Sequence, residues 1–511
     1  MLATMTKQII KSSIRKGIFI FSITITLIII VYSGCKRDEP IIDLKTSNYP
    51  AAIGNIILTK CAVSGCHNTQ SKNAAAGLDL TSWTTMMNGD RNGAVCIPYS
   101  AENSTLFLFT NTYSEFGSMV HPTMPINDNP LTKDQMRSIR DWINEGAPNA
   151  DGFVKWSDDL FRRKYYVTQQ GCDAVCSIDA ETNLQMRQIS VGATTAIESP
   201  HAIRISPDGQ FWYCCFTTGK YLEKHRTSDD ALVGRILLGP TNAAATGNWN
   251  SFSISPNSQF AYVIDWNGNG RIARLDLHAM NWVQTYQGSQ LYIWSHGSNI
   301  SPDGNTLYVC PTVGNFIYKI DISTPQLPSD NHIIINGDGF ETTVSHTEDP
   351  HELTFSPDGT KYFVTCSWSN TVRVMDATTD QLIATIPVGG TPQEMSVSQD
   401  PNTPYIYVTC MEDTVTYQGN RGSVSVLNWQ TNTFVCSVNT GWQPHGIAVN
   451  DDKKTVLVSH RNIMLGGPAP HHSTSCIGRN GYFTLIDMNT NQLIPNSNTE
   501  LTVDPYSAIY K

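Results

Sequence analysis

One turn recurs along this chain and limits what it can fold into. Ser-Pro-Asp-Gly stands at 206–209, 301–304 and 356–359. Looser copies stand at Ser255-Pro256-Asn257-Ser258, Ser398-Gln399-Asp400-Pro401 and Asn450-Asp451-Asp452-Lys453. An alternating stretch precedes each turn, as in Ala202-Ile203-Arg204-Ile205, and an apolar one follows, as in Tyr362-Phe363-Val364-Thr365. A third stretch ending in an acidic residue comes next (Val372 to Asp376), then a turn and a fourth, Leu382 to Ile386. Four short antiparallel strands repeated every 45 to 55 residues or so describe a propeller blade. A β-sandwich does not repeat one turn at a fixed interval. Second-strand segments near 165, 211, 260, 306, 362, 405 and 455 count seven blades, which predicts an all-β seven-bladed propeller over 151–511.

The Tyr-Val-Thr segments at 166–168 and 407–409, with the Pro-His openings of the repeats, resemble the YVTN family of seven-bladed propellers. The repeat also places side chains. The first strand of a blade lines the central channel, and the turn returns the second beside it, so the start of one and the end of the next share a rim. At first-strand starts stand His201, His296, His351 and His445, in Pro-His-Ala, Ser-His-Gly, Pro-His-Glu and Pro-His-Gly. At second-strand ends on that rim stand Cys215, Cys366, Cys410 and His460. A long insertion, 461–480, adds His471, His472 and Cys476, and His346 precedes His351.

Clustered imidazoles suit a second transition metal such as copper or iron. The arrangement is similar to the copper-bearing propeller of nitrous oxide reductases and to haem-d1 propellers joined to cytochrome c. The first would require a cupredoxin domain, which is absent here, and the second has eight blades. The competing expectation is structural: in YVTN-type propellers a histidine at this position packs the turn and binds backbone.

Ahead of the repeats, Cys61-Ala62-Val63-Ser64-Gly65-Cys66-His67 carries two thiols followed at once by an imidazole. Covalent haem attachment needs this set: two thioethers to the vinyl groups and an axial histidine. The spacing is C-x4-C-H where C-x2-C-H is usual. Ile53, Ile56 and Ile57 predict the apolar face of a short helix before the motif. Thr132-Lys133-Asp134-Gln135 predicts a capping box opening a second helix, with Met136, Ile139, Trp142 and Ile143 on its buried face. Between the two, Met124 sits in Pro122-Thr123-Met124-Pro125, with Met119 and His121 as competing donors nearby.

These features, closing on Met124-Pro125 through Ala147, resemble a class I cytochrome c over 51–150. The resemblance implies a small all-α domain with one covalent haem c, thioethers from Cys61 and Cys66, and iron ligands His67 and Met124. A short linker, 148–163, would hold that domain close to the propeller.

The first 34 residues read as an export signal. Lys7, Lys11, Arg15 and Lys16 precede an apolar run from Ile18 to Val31, and Ser33-Gly34-Cys35 follows. The pattern resembles a bacterial lipoprotein signal, with Cys35 as the lipidated residue and 35–50 as a tether. An uncleaved membrane helix would need about 20 apolar residues, more than this run supplies. Cleavage would move the formal charge from −10 to −14, which argues against nucleic acid as a partner. Thirteen cysteines are compatible with an exported chain. Cys172 with Cys176, and Cys214 with Cys215, are candidate oxidised pairs, although buried strand thiols are the commoner outcome.

The sequence thus predicts a multidomain, exported, lipid-anchored protein of the periplasm or outer-membrane surface. Its activity is electron transfer, with a redox partner protein or a small substrate at the propeller face. The alternatives are an oxidoreductase whose propeller holds the second cofactor, and a non-catalytic scaffold.

Overall fold

The computed structural model describes residues 44–126, 128–240, 247–267, 270–286, 293–324, 330–463 and 481–511. Residues 44–511 form one compact unit; the segment read as an export signal, and Cys35, lie outside the described residues. Among the described residues no helix is long and apolar enough to cross a membrane.

From residue 164 onward the described chain forms seven antiparallel sheets. Blade 2 shows the pattern: Pro200–Ile205 innermost, then Phe211–Phe216, Tyr221–Arg226 and Leu232–Leu237. The second strands begin at Lys164, Phe211, Phe260, Thr306, Lys361, Tyr405 and Thr455, matching the count read from the repeat. Chain order and sheet order differ in one blade. Blade 1 takes Lys164–Gln169, Ala174–Asp179 and Gln185–Ser190 from the front of the array, and its innermost strand, Pro505–Tyr510, from the end of the chain. Tyr166 pairs with Ile509 and Val167 with Ala508, which closes the ring and leaves no open sheet edge at that seam.

The recurrent turn explains its own sequence. Ser206 Oγ donates to Asp208 Oδ1 at 2.5 Å, and the same carboxylate oxygen accepts from Gln210 N at 3.0 Å. Ser206 Oγ also accepts from Phe211 N at 3.1 Å. Gly209 closes the turn at φ +71°, where a side chain would be strained. Ser301/Asp303/Gly304 and Ser356/Asp358/Gly359 repeat this arrangement. Blade-to-blade cores are built from the alternate faces of these strands, for example Tyr308, Leu353, Tyr362 and Val364.

Before the propeller the described chain is helical and irregular. Helix Ala51–Lys60 buries Ile53, Ile56 and Ile57, and helix Lys133–Asn144 buries Met136, Ile139, Trp142 and Ile143, as their periodicity predicts. The capping box forms: Gln135 N donates to Thr132 Oγ1 at 3.3 Å, and Thr132 N donates to Gln135 Oε1 at 2.8 Å. Met186, on the outer strand of blade 1, and Leu184 just before it join the same apolar core as Trp83, Met86 and Trp142. The seam is also hydrogen-bonded, with Ala94 N donating to Gln185 Oε1 at 2.9 Å. Beside it Gly93 is required, because a Cβ there would lie 2.6 Å from Thr499 Cγ2.

Of the two candidate oxidised pairs, the first does not form. Cys172 is disulfide-bonded, but Cys176 is a free, buried thiol. Cys214 and Cys215 are likewise free and buried; neighbours on one strand point to opposite faces and cannot meet.

Because blade 1 borrows its inner strand from the chain end, truncation after Val503 should abolish the cooperative thermal unfolding seen for the full chain by circular dichroism. A truncated protein that melts as sharply and at the same temperature would contradict this closure.

Candidate functional site

Where the helical segment meets blade 1 there is a cavity of about 640 Å³, within the usual range for cofactor-sized ligands (roughly 300–1,000 Å³). Cys61, Cys66, His67 and Met124 all line it. Met119 and His121 are exposed and are not among its lining residues. Much of the rest of its wall is apolar, with Leu78, Leu80, Val95, Ile97 and Leu106.

Local hydrogen bonds hold the 61–67 loop in place. Cys61 N caps helix Ala51–Lys60 by donating to Ile57 O at 2.9 Å, and His67 N returns to Cys61 O at 3.1 Å. Cys66 N donates to Val63 O at 3.0 Å, and Ser71 Oγ fixes Cys66 O at 2.7 Å. The extra residues of the C-x4-C-H spacing thus form a compact turn that returns His67 to the helix end. Met124 is anchored by its own N–H to Phe109 O at 2.7 Å.

Burial, reinforced by the neighbouring Cys66, pushes the Cys61 thiol up to about 12 and keeps it protonated. Burial lowers the His67 pKa, with the pull of the Leu78 carbonyl partly offsetting it, so the imidazole is neutral at pH 7. Its Nδ1 is buried without a completed hydrogen bond.

The propeller completes this cavity, which the sequence reading did not foresee. Gln185 and Gln188 of blade 1, with Glu500, Leu501 and Thr502, contribute to its wall. Gln185 Nε2 donates to Glu500 O at 2.7 Å, and Gln169 ties Gln188 (2.5 Å) to Thr502 N (2.7 Å). No local motif marks these glutamines; only tertiary packing brings them to the cavity.

The second cluster lies at the channel. In all seven innermost strands the register slips just after the first residue. Such a bulge leaves the second residue unpaired and re-aims it. Those second residues are His201, Asn250, His296, His351, Gln393, His445 and Tyr506. The four histidines predicted to converge are therefore brought together. His201 Nε2 lies 3.1 Å from His296 Nε2, and the His296 and His351 rings are 4.2 Å apart. Tyr506 stacks on His201 at 3.9 Å and lies 3.7 Å from the His445 ring. No member of this ring is more than 8 % exposed, so the mouth is packed.

The remaining predicted rim residues stand elsewhere. His460 is fully buried in blade 7, with Nε2 2.9 Å from Thr484 Oγ1, Nδ1 3.2 Å from Trp442 O, and its ring stacked on Tyr482. Cys215 and Cys366 pack in the apolar cores between blades, and Cys410 Sγ lies 3.5 Å from Ser425 Oγ. His346 packs on Trp368. His471, His472 and Cys476 lie outside the described residues. Among the described residues no three His, Cys, Asp or Glu side chains are arranged to hold one metal ion.

Burial holds the four ring imidazoles neutral, His296 down to about 4 and the others well below their ordinary value. One residue further along two strands, burial raises Glu352 to about 7 and Glu394 to about 8. Arg204, 3.9 Å from Glu352, only partly offsets this.

Neither a protein-family model nor a curated protein sequence matches this chain. Among solved structures, a putative 6-phosphogluconolactonase from Bacteroides uniformis superposes with a TM-score of 0.50 at 15% identity, over 68% of this chain and 100% of that one. Dihydro-heme d1 dehydrogenase NirN, in complex with DHE, gives 0.46 at 12% identity, over 74% of this chain and 86% of that one. Hydrazine synthase from Kuenenia stuttgartiensis gives 0.43 at 17%, over 58% and 79%. At these identities any likeness is one of fold alone, and the first of the three, at a TM-score of 0.50, agrees with the propeller.

The buried carboxyls give stability a pH dependence with a defined sign. Glu352 and Glu394 titrate above the unfolded value for Glu, so their contribution is complete below about pH 4.3 and is lost as pH rises through 7 to 8. The imidazoles titrate below theirs and act oppositely, but only beneath about pH 6.5. The other charged groups facing these carboxyls are Arg204 and the Arg461–Asp504 pair. Unfolding free energy should therefore fall between pH 6.5 and 8.5, by up to about 1.4 kcal/mol per pH unit for each carboxyl. Glu352→Gln with Glu394→Gln should flatten the slope in urea titrations; an unchanged slope would show that both carboxyls ionise normally.

Proposed function

We propose that this protein is an exported c-type cytochrome joined to a β-propeller, and that it transfers electrons. One observation carries the reading: both thiols of the C-x4-C-H motif, its histidine and the Met124 thioether line a single cavity of cofactor size. The donor set fits haem c. Two free thiols are available for thioethers, a neutral imidazole with an incompletely bonded buried nitrogen adjoins them, and Met124, which carries a thioether, lines the same cavity. Haem bound there would supply reversible one-electron exchange, and His/Met ligation favours a relatively high potential.

The residues of the chain have separable tasks in this reading. Cys61 and Cys66 hold the macrocycle, His67 and Met124 ligate the iron, and the apolar wall excludes water. Exposure of Met119 and His121 favours Met124 over both as the distal ligand. Gln185, Gln188 and Thr502 make the propeller part of the haem environment as well as a docking face for a redox partner protein. The export signal and Cys35 support a lipid-anchored location in the periplasm or on the outer-membrane surface.

Expression with haem-maturation machinery tests this reading through a pyridine haemochrome spectrum. One covalent haem c per chain is expected. Cys61→Ala with Cys66→Ala should reduce covalent haem to background while free haem can still be extracted. Met124→Ala should keep the thioethers, change the ferric ligand-field absorbance and lower the midpoint potential. A wild-type protein matured in this way without covalent haem would overturn the assignment, and an unchanged Met124→Ala spectrum would remove Met124 as ligand.

A further inference from the structure

The propeller wall of the haem cavity carries polar groups that the haem reading leaves unused. We infer that Gln188 of blade 1, with Thr502 joined to it through Gln169, donates hydrogen bonds to a carboxylate of the haem, so that the propeller itself holds one edge of the cofactor. The inference rests on the haem reading and names the propeller residues that bind the group and tune it.

Two hydrogen bonds in series fix which end of each amide faces where. Shape alone does not distinguish the oxygen of a glutamine amide from its nitrogen; the bonding network does. The Thr502 backbone N–H can only donate, and it meets Gln169 at 2.7 Å, so the Gln169 atom there is Oε1. Gln169 therefore turns Nε2 towards Gln188, which accepts through its own Oε1 at 2.5 Å. The Gln188 amide nitrogen is left over, with no acceptor among the described residues. Gln188 is half-buried and lines the cavity. Gln185, the other glutamine of this wall, is engaged at both ends: it accepts from Ala94 N at 2.9 Å and donates to Glu500 O at 2.7 Å.

Thr502 gives a second, independent sign of a ligand. It lines the same cavity, is 5 % exposed, and its Oγ1 is buried with no hydrogen-bond partner. Native proteins leave few such atoms, and each calls for an ion, a water or a function. Two neutral donors tied to one buried glutamine suit a charged acceptor, because charge-assisted hydrogen bonds are roughly twice as strong as neutral ones. A haem presents two strong acceptors at its edge, its carboxylates, and the rest of its periphery is apolar. Lys60, which also lines the cavity, is already paired with Asp128 at 3.3 Å. Asp90 and Glu500 line it as well, and burial, with Glu500 as a like-charged neighbour, raises the Asp90 carboxyl above its ordinary value. A haem carboxylate against such a wall stays ionised only where donors meet it. On the propeller side those donors are Gln188 and Thr502.

The test uses the full chain matured with haem. Gln188→Glu keeps an oxygen for Gln169 and exchanges the amide donor for a second acceptor, so the packing stays while the hydrogen bond to the haem is lost. Gln188→Leu and Thr502→Val remove the donors without adding charge, and thermal melts show that each variant folds. Resonance Raman reads the carboxylate-bending band of the haem directly. That band should move to lower frequency in both Gln188 variants, and by less in Thr502→Val. With its donor gone the haem carboxylate holds its proton to higher pH, so the fall of midpoint potential with rising pH should begin at a higher pH in Gln188→Glu. An unmoved band and an unmoved pH profile in folded, haem-loaded Gln188 variants would overturn the proposal, as would a band that moves only in Lys60→Met. The pyridine haemochrome spectrum on the same samples separates the two readings. Full covalent haem with an unmoved band sinks this inference alone, whereas wild type without covalent haem sinks both.

Discussion

The pairing of Pro505–Tyr510 with Lys164–Gln169 is the constraint on which both candidate sites rest. It closes the propeller, but its consequences reach further because of what the same segment carries. Leu501 and Thr502 belong to the wall of the cavity lined by Cys61, Cys66, His67 and Met124. Four residues later, Tyr506 is packed against His201 and His445 at the channel mouth. One short stretch therefore fixes a wall of one site and a member of the other. Gln169, at the end of the partner strand, locks it from the side through Thr502 N.

The bulge at each inner strand is the second organising device. In a regular strand successive side chains alternate between the two faces of the blade and would enter the inter-blade cores. Slipping the register after the first residue frees the second from pairing. Entry to the bulge is strained as well: Ser199, Trp294, Asp349, Thr391, Gln443 and Asp504 all precede inner strands at positive φ. Non-glycine residues pay for that conformation, about 1–2 kcal/mol each by the usual steric estimate. A polar ring that leaves four buried nitrogens unpaired adds a further cost. The same entry recurs at six of the seven inner strands, so the strain belongs to the repeated bulge that turns these side chains to the channel.

Much of this was legible in the sequence. The Ser-Pro-Asp-Gly turn is local chemistry, a side-chain hydrogen bond plus a glycine at positive φ, so its recurrence with the looser copies located six of the seven second strands. The four channel histidines followed because their place relative to that turn is fixed. His460 could not be separated from them in the same way. Strand position gave its rim, yet only the packed structure shows Thr484 and Trp442 consuming both its nitrogens. Tyr506 was missed for a topological reason: its strand ends the chain with no turn after it, so the repeat grammar had nothing to count. Gln185 and Gln188 were missed because side chains on an outer strand look like ordinary solvent-facing residues until another segment packs against them.

The spacing of the cysteine motif shows where the sequence argument was weakest and how local structure bears on it. A loop of four residues between two thiols can hold them at many separations, so the motif alone does not fix a shared site. The helix end decides it. Cys61 N, Ala62 N and His67 N each find an acceptor within the helix terminus or the loop, at Ile57 O, Ile57 O and Cys61 O. These bonds satisfy donors and acceptors that a frayed helix end would leave open, and Cys61, Cys66 and His67 all line the one cavity. Leu80 N donating to His67 O at 2.9 Å adds a tie from the following segment, so the histidine is held from both sides along the chain. In a loop that closes on its own helix, the place of each side chain is set by the closure and not by the residue count alone.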